Sequence, residues 1–208
     1  MVSLCVACKQ TPKKNTSTVE SNTKEREWVD LFNGVSFSGW HQFNSSEMSA
    51  AWIIEDGAMV LPDGTGEGKG NNIVTDKEYT NFELSLEWKI VEGGNSGIFW
   101  GVKEGEGYET PYQTGPEIQV LDNERHPDSF NNPNFHQAGA LYDMVQPSKD
   151  ACKPAGEWNH VFISINYNTN KASVKLNDVE IVNFPLSGPE WDALVANSKF
   201  KDWKEFAK

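Results

Sequence analysis

Arginine is nearly missing from this chain: only two of its 208 residues, Arg26 and Arg125, are arginines, and 18 basic residues face 30 acidic ones. The formal charge of -12 repels phosphate backbones and argues against nucleic acid as a partner. Cysteine is scarce too, with three residues in all, and their placement offers neither a zinc spacing nor a disulfide framework. No apolar run approaches the about 18 residues that a membrane-spanning helix needs. Also missing are Gly-x-Ser-x-Gly, His-Glu-x-x-His, a phosphate-binding glycine loop and an Asp-x-Asp-x-Asp-Gly calcium loop, so the common hydrolase and nucleotide chemistries have no support. What is present is a core-forming composition, 38% hydrophobic with eight tryptophans, and 17 glycines and ten prolines to make turns. The length fits one domain of ordinary size.

Charge divides the chain. Residues 1–25 hold four lysines and two glutamates, a net of +2, which leaves 14 basic and 28 acidic residues, a net of -14, in the remainder. Met1–Cys8 reads M-V-S-L-C-V-A-C, and the stretch after it is almost wholly polar, too poor in apolar residues to order itself. An apolar run ending in Val6-Ala7-Cys8 before a polar tether resembles a bacterial lipoprotein signal. That implies export to the periplasm or cell surface and a lipid anchor at Cys8 as the sole membrane contact; the alternative is an ordinary flexible terminus. The run before Cys8 is short for a signal core, so a start codon further upstream is expected. The organisation read this way is a signal over 1–8, a polar linker over 9–27 and a folded domain over 28–208.

From Trp28 onward the apolar pattern has period two. Asn81–Ile90 sets Phe82, Leu84, Leu86, Trp88 and Ile90 on one face and charged or hydroxyl residues on the other, a half-buried strand. His160–Tyr167 repeats it, and Ala172–Leu176 and Val179–Phe184 flank Asn177-Asp178 as a tight hairpin. Trp52–Glu55, Ala58–Leu61 and Ile73–Thr75 read as shorter strands. Strands at this spacing without helical segments between them predict an all-β antiparallel sandwich, with Pro189–Phe206 as a short carboxy-terminal helical segment. One connection, Asn123–Pro154, is long enough to mark a functional loop.

Polar groups concentrate at Gly115–Asn123. Alternation puts Glu117 and Gln119 on one strand face, suited to hydroxyl-rich ligands, or else on the solvated side of an edge strand. Asn95, opening another strand, either lines the same cleft or caps a turn. His136 is the histidine suited to proton transfer near neutral pH, against the commoner role of a loop histidine as a structural hydrogen-bonder. His41, next to Trp40, is assigned to packing.

The strings Trp28–Gly34, Asn95-Ser96-Gly97-Ile98, Gly115-Pro116-Glu117-Ile118-Gln119-Val120-Leu121-Asp122, Ala138–Tyr142 and Gly156-Glu157-Trp158-Asn159, in this order, resemble the 3-keto-disaccharide hydrolase family (3-keto-α-glucoside 1,2-lyase / 3-keto-2-hydroxy-glucal hydratase). The resemblance implies a concanavalin-like jelly roll and β-elimination of a 3-keto-glucoside or disaccharide that a partner sugar 3-dehydrogenase has oxidised. It implies Glu117 and His136 as the acid–base pair, Tyr142 as proton donor and Lys153 as oxyanion partner. Gln119 and Asp122 would position the ligand, with Asn95 and Trp100 as further sugar-binding residues. A divalent metal on Glu117, His136 or Asp122 would be a conceivable enolate stabiliser, though no ligand spacing demands one. Relatives continue past the Lys199–Trp203 segment into a glycine-rich strand, so a last strand is expected to be missing here. The competing readings are a carbohydrate-binding module that stacks sugars on Trp100, Trp88 or Trp40, and an inactive truncated member.

Overall fold

The computed structural model describes residues 27–62, 71–132 and 134–208. The chain divides into two units, Met1–Asp30 and Leu31–Lys208, and the fold is that of the second. Cys8 and the expected signal lie outside the described residues, as does the linker up to residue 26.

Among the described residues the strands run β1 (Trp40–Gln42), β2 (Ile53–Glu55), β3 (Ala58–Val60), β4 (Ile73–Thr75), β5 (Phe82–Trp88), β6 (Asn95–Phe99), β7 (Glu117–Leu121), β8 (Asn159–Asn166), β9 (Lys171–Leu176) and β10 (Val179–Phe184), followed by α1 (Pro189–Ala196). Every pairing is antiparallel. The largest sheet has the order β10-β9-β8-β5, and β6 pairs with β7 apart from it. Strict alternation in β8 buries Val161, Ile163 and Ile165, and β9 adds Ala172, Val174 and Leu176. This apolar face packs in one cluster with Ile118 and Val120 of β7, so two layers enclose the core. In β10 the register shifts between Glu180 and Val182, which lets the successive residues Ile181 and Val182 both be buried. The β9–β10 turn takes positive φ at both Asn177 and Asp178, the geometry of a two-residue hairpin loop whose twist matches the strands.

The structure corrects two sequence expectations. The helix stops at Ala196, and residues 197–208 continue as turns around buried Phe200 and Phe206. The long loop is not structureless either. It contains a short 3-10 turn, Pro127–Phe130, and its return segment lies along β7. Gly139 N–H donates to Gln119 O at 2.8 Å, Gln119 N–H to Ala140 O at 3.0 Å and Tyr142 N–H to Glu117 O at 2.9 Å. The strand β7 is therefore interior, with β6 on one edge and residues 138–142 on the other.

That docking depends on Gly139. Its φ is +83°, and a Cβ there would run into Ile181 Cδ1 with Leu176 Cδ2 at 3.6 Å, so both conformation and space require glycine. Gly139→Ala should lower stability by about 3 kcal/mol, combining left-handed strain with overpacking. Urea unfolding at neutral pH measures this, and a loss under about 0.5 kcal/mol would show that the return segment tolerates displacement.

Candidate active site

Glu117 opens β7 opposite Phe99. Its carboxyl lies directly over Gly97: a Cβ at that glycine would collide with Glu117 Oε1, and Cδ would be 2.7 Å away. Glycine at 97 is thus the condition for Glu117 to lie flat across the β6–β7 ribbon. The residue as a whole is half-buried, while its carboxyl is deep in the protein. Burial pushes the carboxyl up to about 8, with the Lys199 ammonium pulling it down and Asp128 pushing it up.

Antiparallel register sets Tyr142 beside Glu117 on the same face, because Leu141 bridges Ile118. The Tyr142 ring stacks on His136, with centroids 4.2 Å apart, and its hydroxyl donates to Asp128 Oδ2 at 2.7 Å. His136 is 7% exposed and lies between two carboxylates, Nδ1 3.0 Å from Asp128 Oδ1 and Nε2 2.9 Å from Asp143 Oδ1. Only the imidazolium has an N–H for each. Asp143 also accepts from Asn132 Nδ2 at 3.0 Å and from the Lys199 backbone N–H at 2.6 Å. Burial pushes Asp128 upward, but the bonds from Tyr142 and His136 prevail and hold it below the ordinary carboxylate range. Asp143 is depressed likewise, burial being outweighed by Lys199 N–H, His136 and Asn132. Tyr142 is raised by burial, by its bond to Asp128 and by the surrounding carboxylates, so it keeps its proton. The Lys199 ammonium sits 4.1 Å from the Tyr142 ring centroid, a cation–π contact that completes the cluster.

The structure thus brings together Glu117, His136 and Tyr142 from the predicted set. It does not bring the others. Gln119 is 1% exposed, with Oε1 accepting the Val120 N–H at 3.0 Å, so it cannot meet a ligand from solvent. The solvated-edge alternative for this strand fails for the same reason. Asp122, 3% exposed, holds the Gly93 N–H at 2.8 Å and the Glu124 N–H at 3.1 Å and faces Arg125 at 3.5 Å. It fastens the turn at the far end of β7, five residues from Glu117. Asn95 pairs with Leu121 at that same end. Lys153 Nζ donates to Trp158 O at 2.8 Å, and its backbone N–H is held by Asn159, so it points along its own loop. Trp100, 8% exposed, stacks on Phe184 in the core, and Trp88 belongs to the same cluster; neither can stack a sugar. The donors named for a metal do not converge, and among the described residues no three of His, Cys, Asp and Glu are arranged to hold one. His41, assigned to packing, instead bonds Asp76 at 2.6 Å and Glu104 at 3.0 Å. The thiol of Cys152 is pushed by burial up to about 12, far from thiolate chemistry.

Sequence reasoning missed Asp128, Asp143 and Lys199. Asp128 and Asp143 were signalled only by lying eight residues before and seven after His136 in the long loop, and Lys199 had no local signal at all.

Residues 27–205 match the model of the 3-keto-alpha-glucoside-1,2-lyase-like domain. The chain is 33% identical over 190 residues to the 3-keto-disaccharide hydrolase of Bacteroides thetaiotaomicron, an alignment covering 85% of this chain and 65% of that protein. It therefore spans just under two thirds of that relative's length. A crystal structure from Parabacteroides distasonis, described provisionally as a glycosyl hydrolase, superposes with a TM-score of 0.75 at 30% identity, covering 85% of this chain and 81% of that one.

Because Asp128 and Asp143 are depressed, their bonds stabilise the fold above the unfolded aspartate value of about 3.9 and lose that contribution as pH falls below it. His136→Ala leaves two largely buried carboxylates without their cation and should lower stability at pH 7 by about 3 kcal/mol. The gap from wild type should narrow below about pH 4. Urea titrations across pH check this; a gap constant down to acid pH would mean that packing, not charge, is what His136 provides.

Proposed function

This chain belongs to the 3-keto-alpha-glucoside-1,2-lyase-like domain family, and from that premise we propose that it cleaves the glycosidic bond of 3-keto-glucosides by β-elimination and hydrates the resulting 3-keto-2-hydroxy-glucal. The observation that carries the reading is Glu117: a carboxyl deep in the protein on a residue that is half-buried as a whole, laid over Gly97, raised to about 8 and flanked by the Lys199 cation.

A ketone at carbon 3 acidifies the hydrogen on carbon 2. Glu117, a stronger base than an ordinary carboxylate, takes that proton. The C2–H electron pair becomes the enolate, whose oxygen is neutralised by Lys199, in the role expected of Lys153. Collapse of the enolate forms the C1–C2 double bond and expels the glycosidic oxygen, and protonated Glu117 returns the proton to it. Hydration runs the same steps in reverse, with water adding at carbon 1 and a proton at carbon 2. Tyr142, whose hydrogen is committed to Asp128, is a neutral hydrogen-bonding wall in this scheme. His136 acts through Asp128 and Asp143 as a positioning residue. The carbonyl at carbon 3 requires a sugar 3-dehydrogenase upstream, and the amino-terminal sequence suggests that the two meet outside the cytoplasm, this chain anchored through Cys8.

The base must be ionised, so kcat/KM for a 3-keto-glucoside should rise about tenfold per pH unit up to roughly 8 and then level. Glu117→Gln should lower it by about 10²-fold or more; a retained rate removes Glu117 from the mechanism. The same substitution tests the electrostatics independently of activity. A raised carboxyl stabilises the fold below its unfolded value of about 4.3 and loses that contribution as pH rises through 8, so Glu117→Gln should be more stable than wild type at pH 9, by about 3 kcal/mol. Equal stability at pH 9 would mean that the carboxyl is not raised.

A further inference from the structure

Separate from the residues of the acid–base cluster is a cleft of about 820 Å³, lined by Tyr108, Thr110, Tyr112, Gln113, Trp203 and Lys204 among others. Its size falls in the range of pockets that enclose a small organic ligand. Two aromatic rings form a wall: Tyr112 and Trp203 have centroids 6.0 Å apart at 41°, and Tyr112 is 45% exposed. The wall is braced from behind. Trp203 meets Phe200 edge-on at 5.2 Å, and Phe200 stacks on Phe206 at 4.0 Å, both phenylalanines being buried. The segment that carries the lining residue Tyr108 is pinned by Asn44, which accepts the Gly105 N–H at 2.8 Å and donates to Tyr108 O at 2.5 Å, while its backbone N–H donates to Glu104 at 2.6 Å. A braced aromatic wall beside amide, hydroxyl, ammonium and carboxylate groups, the last from Glu109 and Glu205, suits a ligand ring with one apolar face and a hydroxyl-bearing edge.

Chain connectivity ties this cleft to the reacting groups. Tyr112 is five residues before Glu117, and Trp203 four after Lys199, so along the backbone the first pair can be at most about 18 Å apart and the second at most about 14 Å. One short segment, Lys199–Phe206, delivers the cation to Glu117 and the aromatic wall to the cleft.

We infer that the Tyr112–Trp203 cleft is the leaving-group subsite, which takes ring-bearing aglycones, whether the second sugar of a disaccharide or an aryl group, by stacking them on its aromatic wall. The inference rests on the lyase reading for the word leaving-group, whereas ring binding stands apart from it.

The test compares wild type, Tyr112→Ala and Trp203→Ala on 3-keto-glucosides with methyl, phenyl and glucosyl leaving groups. Each variant should lower the phenyl-to-methyl and glucosyl-to-methyl ratios of kcat/KM by about fivefold or more. A fall in only one ratio identifies that ring as the occupant, and both ratios unchanged in the two variants overturns the subsite. Phenyl glucoside and maltose, unoxidised, are titrated alongside by NMR. Binding weakened about fivefold or more in Tyr112→Ala, whose exposed ring can be removed without disturbing the core, supports the cleft even if no 3-keto-glucoside is cleaved, in which case the lyase reading alone fails. No binding to wild type, or equal binding to all three proteins, overturns the inference.

Discussion

His136 is bonded on both ring nitrogens to carboxylates, and through them the two halves of the long loop and the distant carboxy-terminal segment are joined. Asp128 comes from the 3-10 turn in the outgoing half of the loop, Asp143 from its return, and Asp143 in turn fixes the backbone of Lys199 from the carboxy-terminal segment. Tyr142 is held both by its stacking on the imidazole and by its bond to Asp128. Two anions this close would repel in a poorly solvated setting, so the cluster coheres only with a cation between them. Placement of Tyr142 and of the Lys199 backbone follows from that one interaction, whereas the β-sandwich beneath it is built around a continuous apolar core.

The second constraint is the position of Glu117. A carboxyl laid over a glycine on an interior strand, among buried residues, loses most of its hydration, and the fold is less stable for keeping it. The local sequence accommodates that arrangement at two glycines for different reasons: Gly97 because the carboxyl occupies the space of its Cβ, and Gly139 because the return segment needs positive φ where it passes under Ile181. A base that is less well solvated is a stronger base, so the destabilisation and the proposed chemistry have one origin.

Much of the fold was legible from the chain. The strands β5, β8, β9 and β10 match the period-two runs to within a residue or two, because a half-buried sheet writes its two faces directly into alternate positions. The Asn177-Asp178 hairpin was legible for a similar reason, as turn chemistry is local. Of the site, the strand bearing Glu117 and the loop bearing His136 and Tyr142 were readable. The structure sets Lys153 and Asn95 apart from the cluster, and Asp122, Trp100 and Gln119 are of residue types that suit carbohydrate chemistry in surroundings that do not. Asp122 is occupied by backbone amides, Trp100 by Phe184 and Gln119 by its neighbour's N–H.

By itself the sequence determined the all-β class, the strand positions, the acidic character of the folded part and the family. These are carried by periodicity, composition and ordered strings of motif residues, all properties of neighbours along the chain. Only the tertiary structure decided that β7 is an interior strand, that Asp128 and Asp143 clasp His136, and that Lys199 rather than Lys153 stands near Glu117. Those are contacts across as many as 82 positions of chain. Backbone pairing and charge neutralisation set them, and neither leaves a mark in local sequence.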